Sequence, residues 1–193
     1  LMKKSLICSF MNLYGSKNLA QLLQMNTIEQ EFKEQAIFRL QEKKRHLAKC
    51  FQQLTEADMW SRPNASSNSV GNIILHLCGN IGQYILSSLA QQPDARERDL
   101  EFSTEGGLSK EELLEKISTT IDQACAVVSA CKEEELLRER EVQGFVFSGL
   151  GVILHAVEHL SYHTGQVAYL VKLRNDQQIG LYDDFDLNVK NAD

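Results

Sequence analysis

His155-Ala-Val-Glu-His159-Leu-Ser-Tyr-His163-Thr-Gly165-Gln166 places three of the chain's five histidines four residues apart. The apolar residues Ile153, Val157, Leu160, Val167 and Val171 repeat around them with a helical period, so the segment reads as a helix carrying a histidine stripe. Four residues of helix advance about 6 Å and turn about 40°, which lets neighbouring imidazoles reach one ion from the same side. His155 and His163 are roughly 12 Å apart along the axis, against zinc–nitrogen bonds of about 2.1 Å, so all three cannot share an ion. One pair is the candidate, with a third ligand from elsewhere. On the helical wheel His163 lies at the edge of the apolar stripe, His159 further round and His155 nearly opposite, which favours His159 with His163. A single histidine in such a place is more often a polar residue of an exposed face. A spaced pair beside a core face, followed by Thr164-Gly165-Gln166, tips the reading towards metal.

Outside this stretch the chain reads as mainly helical. Its 193 residues suit one domain with a sizeable core, and only two prolines interrupt long runs rich in Leu, Glu, Gln, Lys and Ala. A net charge of -6 with dispersed basic residues gives no electrostatic footprint for nucleic acid. Five cysteines without a CxxC pair suggest neither a disulfide framework nor a cysteine zinc site, and fit a reducing, cytoplasmic compartment. No run is long enough to cross a bilayer, so no membrane association is expected. Lys3-Lys4 before an apolar stretch has the rough form of a signal peptide, but no small-residue cleavage site follows. Residues 1–26 are read as an N-terminal arm, and residues 27–193 as the main domain with a C-terminal tail.

Four long amphipathic helices are expected. The first starts at Thr27, with Gln30 completing a capping box, and runs to about Leu54 with Phe32, Ala36, Leu40, Leu47, Phe51 and Leu54 inward. His46 falls on its outer face and is read as solvated. Trp60, in the loop that follows, reads as a plug for the end of a bundle. The second helix is capped by Ser69 and runs to about Leu89, with Ile74, Leu77, Ile81 and Ile85 inward. His76 borders that core face. Alone it would be a buried, hydrogen-bonded residue; it becomes a ligand candidate because the later helix offers a matched pair that no other histidine completes. Residues 91–107 read as a charged connection, and Ser109-Lys-Glu-Glu112 opens the third helix, which ends near Cys131. Val142–Ser148 is expected to be briefly extended before the fourth helix carries the histidines to about Leu173. This pattern predicts an all-α, four-helix bundle, whose cofactor sites are built from facing side chains.

Two blocks carry a family resemblance. Trp60-Ser-Arg62-Pro63 with Asn68-Ser-Val-Gly-Asn-Ile-Ile-Leu-His76-Leu-Cys-Gly-Asn80, and Glu158-His-Leu-Ser-Tyr-His-Thr-Gly-Gln166, resemble the DinB-like superfamily, which includes YfiT-like and bacillithiol-transferase proteins. The match covers roughly residues 27–175. The resemblance implies a four-helix bundle that binds a divalent metal, often nickel or zinc, through His76, His159 and His163. His155 is the alternative ligand if the alignment shifts. It also implies a homodimer.

Three neutral imidazoles leave a divalent ion net positive charge and open positions, suited to activating a water or a thiol. The stretch has no HExxH, and no P-loop, GxSxG or dinucleotide fingerprint appears. The leading expectation, resting on the resemblance, is transfer of a low-molecular-weight thiol to an electrophilic small-molecule substrate. Asn80, Gln83, Tyr162 and Gln166 lie near the ligands along their helices as candidates to orient ligands or substrate. The alternatives are metal-dependent hydrolysis, with Glu158 as a weakly placed base, and a non-catalytic ion that staples two helices.

Overall fold

The computed structural model describes residues 27–191, so the expectation of an N-terminal arm over residues 1–26 lies outside the described residues. Four long helices dominate, and each starts where the sequence offers a cap. Helix α1 (Ile28–Gln52) follows Thr27, whose Oγ1 accepts from the Gln30 amide at 3.1 Å. After the single turn α2 (Glu56–Trp60), helix α3 (Val70–Ile81) is capped by Ser69, which accepts from the Asn72 amide. Asn72 returns the contact to Ser69 and donates to the carbonyls of Glu101 and Thr104. A short helix α4 (Arg98–Ser103) precedes α5 (Lys110–Ala130), which opens on the expected Ser109–Glu112 capping box. Helix α6 (Glu133–Leu137) leads into a hairpin, β1 (Glu139–Val142) paired antiparallel with β2 (Phe145–Ser148), and then α7 (Gly149–Asn175).

The fold is all-α, as expected, with one two-stranded hairpin added. The hairpin's two-residue turn, Gln143–Gly144, has positive φ at both positions, the geometry whose twist matches the strands. Ser148 ends β2 and caps α7 through the Gly151 amide, so one residue closes the extended segment and starts the helix. The core holds Leu40, Leu47 and Phe51 from α1, Ile74, Leu77 and Ile81 from α3, Leu113, Ile117 and Ile121 from α5, and Ile153, Leu160 and Val167 from α7. Among the described residues no helix is long and apolar enough to cross a membrane.

Three local expectations are corrected. The second long helix does not stay α-helical: after Ile81 it continues without a break as a π-helical segment, Gly82–Leu89. The charged connection after it is not merely a linker, because α4 folds inside it and buries Glu101. His46 is buried rather than solvated, because the C-terminal tail covers it. Tyr182 packs edge-on to its ring at 5.0 Å, while Lys49 and Gln53 donate to the carbonyls of Gly180 and Gln178. Trp60 lies against Gly71, where an added Cβ would come within 2.7 Å of the indole, and its Nε1 donates to the Leu108 carbonyl.

Candidate metal centre

Helices α3 and α7 face one another so that His76 meets His159 and His163. One ring nitrogen from each lies within 4.8 Å of the other two, and His76 Nε2 is 2.8 Å from His159 Nε2. Two nitrogens bound to one tetrahedral ion at about 2.1 Å sit roughly 3.4 Å apart, so these rings need part by only about half an ångström to share one. The donors therefore fit a divalent ion: three imidazoles from two helices, at the right separation and on one side.

What turns the nitrogens inward is the network behind them. His76 Nδ1 is 2.9 Å from Glu101 Oε2 and 3.2 Å from Arg96 Nη2. The shorter contact is to a carboxylate that only accepts, and Arg96 Nη2 donates to that same oxygen, so Nδ1 carries the proton and Nε2 keeps its lone pair. Glu101 is held in turn by Arg96, whose Nε and Nη2 donate to its two oxygens at 2.7 and 2.8 Å. Arg96 Nη1 donates to Gln83, and Gln83 donates to Asp94. Gly79 makes room for this pair: a Cβ there would collide with the Glu101 carboxylate. On the other helix His163 Nδ1 donates to Gln166 Oε1 at 2.7 Å, which frees its Nε2. Partners of this kind fix the tautomer and raise the basicity of a metal-binding imidazole.

The electrostatics favour a cation over protons. Burial, aided by the neighbouring histidines, pushes the pKa of His159 down to about 3. Burial lowers those of His76 and His163 too, against the opposing pull of Glu101 and Gln166 respectively. All three rings are unprotonated at neutral pH, the state in which imidazole binds metal.

The other sequence candidates fall in distinct places. Gln166 touches a cluster histidine directly, and Tyr162 sets its exposed ring edge-on to His163 at 4.9 Å. Gln83 acts at a remove, through Arg96. Asn80 turns to His155, with Nδ2 3.3 Å from the imidazole Nε2, and its buried Oδ1 has no partner among the described residues. His155 stands outside the cluster. The wheel puts it nearly opposite the core, yet it is half-buried, stacked on Tyr84 at 4.1 Å and 19°, with Phe147 of the hairpin nearby. Glu158 is exposed. Glu101 and Arg96 were missed by sequence reasoning, since they lie in a stretch with no apolar period. The one available signal was Gly79, a bare position on a helix face that something had to fill.

A groove of about 640 Å3 is lined by Leu75, Gly79, Leu86, Arg96, Leu100 and Glu101 among others, and none of the three histidines lines it. Cys78 also lines it, but burial pushes its thiol up to about 11, far from a nucleophile at neutral pH. The side chains that could hold a metal are the histidines, and the groove is joined to them through Glu101, with Arg96 and Gln83 behind it.

Residues 27–181 match the model of a family described as a protein of unknown function, DUF1572. The chain belongs to this family. Two crystal structures share its fold. A DinB-like protein (YjoA) from Bacillus subtilis is 16% identical with a TM-score of 0.57, over 72% of this chain and 91% of that one. A DinB-like protein from Bacillus cereus is 13% identical with a TM-score of 0.58, over 74% of this chain and 90% of that one. At these identities the likeness is one of fold, and the fold is DinB-like. No curated protein matches the chain.

Proposed function

We propose that this protein holds a divalent metal ion, nickel or zinc, on His76, His159 and His163 and uses it to transfer a low-molecular-weight thiol to an electrophilic substrate. The observation that carries the metal reading is the convergence of three unprotonated imidazoles, two of them with the outer nitrogen already committed to a hydrogen bond. When bound, the ion would supply the positive charge that keeps a thiol ionised at neutral pH. The chain's own part is to aim the ligands, through Glu101 and Gln166, and to keep protons off them by burial. The exposed Tyr162 ring, edge-on to His163, borders the cluster on its solvent side. In the transfer the sulfur forms a bond to the electrophilic carbon, its proton passes to solvent, and the leaving group departs with the bonding pair.

The thiol as co-substrate rests on the family resemblance. Hydrolysis would use a metal-bound hydroxide as nucleophile, and Glu158, the base considered for it, is exposed. Self-association belongs to the same proposal. What supports it is a stripe of exposed apolar residues on α7, Leu154, Tyr162, Tyr169 and Leu173, on one side of the helix. Sedimentation of the wild type against a Tyr169→Lys, Leu173→Lys variant tests it, and equal masses would remove it.

Metal analysis of purified protein and of the triple variant His76→Ala, His159→Ala, His163→Ala tests the centre. Undiminished metal in the triple variant refutes it. Conjugation assays with several cellular thiols and an electrophilic probe test transfer. If metal removal only lowers the melting temperature and no thiol-dependent turnover appears, the ion is a staple between α3 and α7.

A further inference from the structure

Arg98 opens α4, three residues before the buried Glu101. Its guanidinium carbon lies 4.9 Å from the centroid of the Phe102 ring, and that ring lies 4.9 Å from the His76 imidazole. The guanidinium is thus within two such spacings of the His76 ring, one of the three imidazoles of the cluster. Arg96 makes the contrast. It is buried and committed to Glu101 and Gln83, whereas Arg98 is exposed, and among the described residues no carboxylate or carbonyl accepts from it. Seated on an aromatic face, a guanidinium keeps its orientation while its in-plane donors stay free for a planar anion.

The cluster needs an anion too. Three neutral imidazoles bring no charge to a divalent ion, so a ligand that completes it gains from carrying negative charge. We infer that Arg98, positioned by Phe102, recognises a carboxylate at one end of a small ligand whose other end binds at the His76–His159–His163 centre. The inference rests on the metal reading above and adds the class of ligand: an anionic thiol or other bifunctional carboxylate rather than a neutral one. A charge-assisted hydrogen bond at an exposed arginine corresponds to roughly a three- to tenfold gain in affinity.

Cobalt(II)-loaded protein provides the test, because the visible spectrum of the metal reports ligand binding without any need for turnover. Two probe pairs are titrated: 3-mercaptopropionate against 2-mercaptoethanol, and succinate against succinamate, which has one carboxylate fewer. Wild type is expected to prefer the member with the additional carboxylate in each pair roughly three- to tenfold. Arg98→Gln should bind cobalt equally well and lose the preference, and Arg98→Lys should keep part of it. If thiols leave the spectrum unchanged while succinate still outbinds succinamate through Arg98, thiol transfer fails and this inference stands. Equal affinities within both pairs, or a preference that survives Arg98→Gln, overturn it. A wild type that takes up no cobalt removes the centre and this inference together.

Discussion

Replacing Glu101 by Gln changes one atom at the point on which the candidate centre turns. The glutamate side chain is 8% exposed and that of Arg96 is 3% exposed, so the pair interacts out of water. In the wild type one carboxylate oxygen takes the His76 Nδ1 proton and both oxygens take Arg96 donors. Glutamine has a single acceptor oxygen, and its amide nitrogen would face a donor on one side or the other. His76 then loses the negative charge that raises the basicity of its Nε2. Removing a partner of this kind typically lowers metal affinity about 10- to 100-fold, or roughly 1.4–2.7 kcal/mol. A competitive titration against a chromophoric chelator measures that change directly. Stability must be read separately, because breaking a buried ion pair by removing one member costs about 3–5 kcal/mol. The double variant Glu101→Gln, Arg96→Met distinguishes the two effects: it removes the stranded charge and should recover most of the stability but none of the metal affinity. A folded Glu101→Gln protein that holds zinc within twofold of wild type would refute the reasoning, as would a double variant that regains the affinity.

Two further outcomes follow from the same geometry. Burial holds the folded-state pKa of His159 near 3 and lowers those of His76 and His163 from 6.5, so the unfolded chain binds more protons than the folded one below about pH 6.5. The stability these groups contribute to metal-free protein is fully present above that pH and is lost as the pH falls towards 3, and urea unfolding between pH 4 and pH 8 should show a midpoint that rises with pH. A flat or inverted profile over that window would count against the assignment of neutral imidazoles. Gly79→Ala forces the Glu101 carboxylate to move while adding only a methyl group, and an overpacked site of this kind costs about 1–3 kcal/mol. Denaturation and chelator competition together should show both stability and metal affinity reduced; an unchanged affinity would mean that Glu101 can shift without disturbing His76.

The helices and two of the three cluster histidines were legible because both are local facts. Ser69 and Ser109 cap helices through residues three positions on, and His159 and His163 share a face because their spacing is close to one turn. His76 was legible only in relation to that pair. Glu101 and Arg96 were not, since what gives them meaning is a contact across the fold with Gly79 and His76, and a six-residue helix leaves no period to detect. The π-helical turn after Ile81 was hidden for a related reason: an i+5 bond in place of i+4 leaves the apolar pattern of Ile81, Tyr84 and Ile85 almost unaltered. His46 and His155 were misplaced by the helical wheel, which knows nothing of what other segments lay over a face. A tail tyrosine covers one, and Tyr84 with a hairpin phenylalanine covers the other.

The hydrogen bond from His76 to Glu101 joins the centre to the segment between α3 and α5, and that segment carries Arg96 and Arg98, two bonds that trypsin can cut. A protease must unwind several residues on either side of its target, which here means drawing Glu101 out of its seat and releasing the imidazole. An ion on that imidazole makes the unwinding costlier by whatever its binding is worth. Digestion of this one segment therefore becomes a gauge of metal occupancy, with the cut slowing as the ion is added and quickening as it is stripped away.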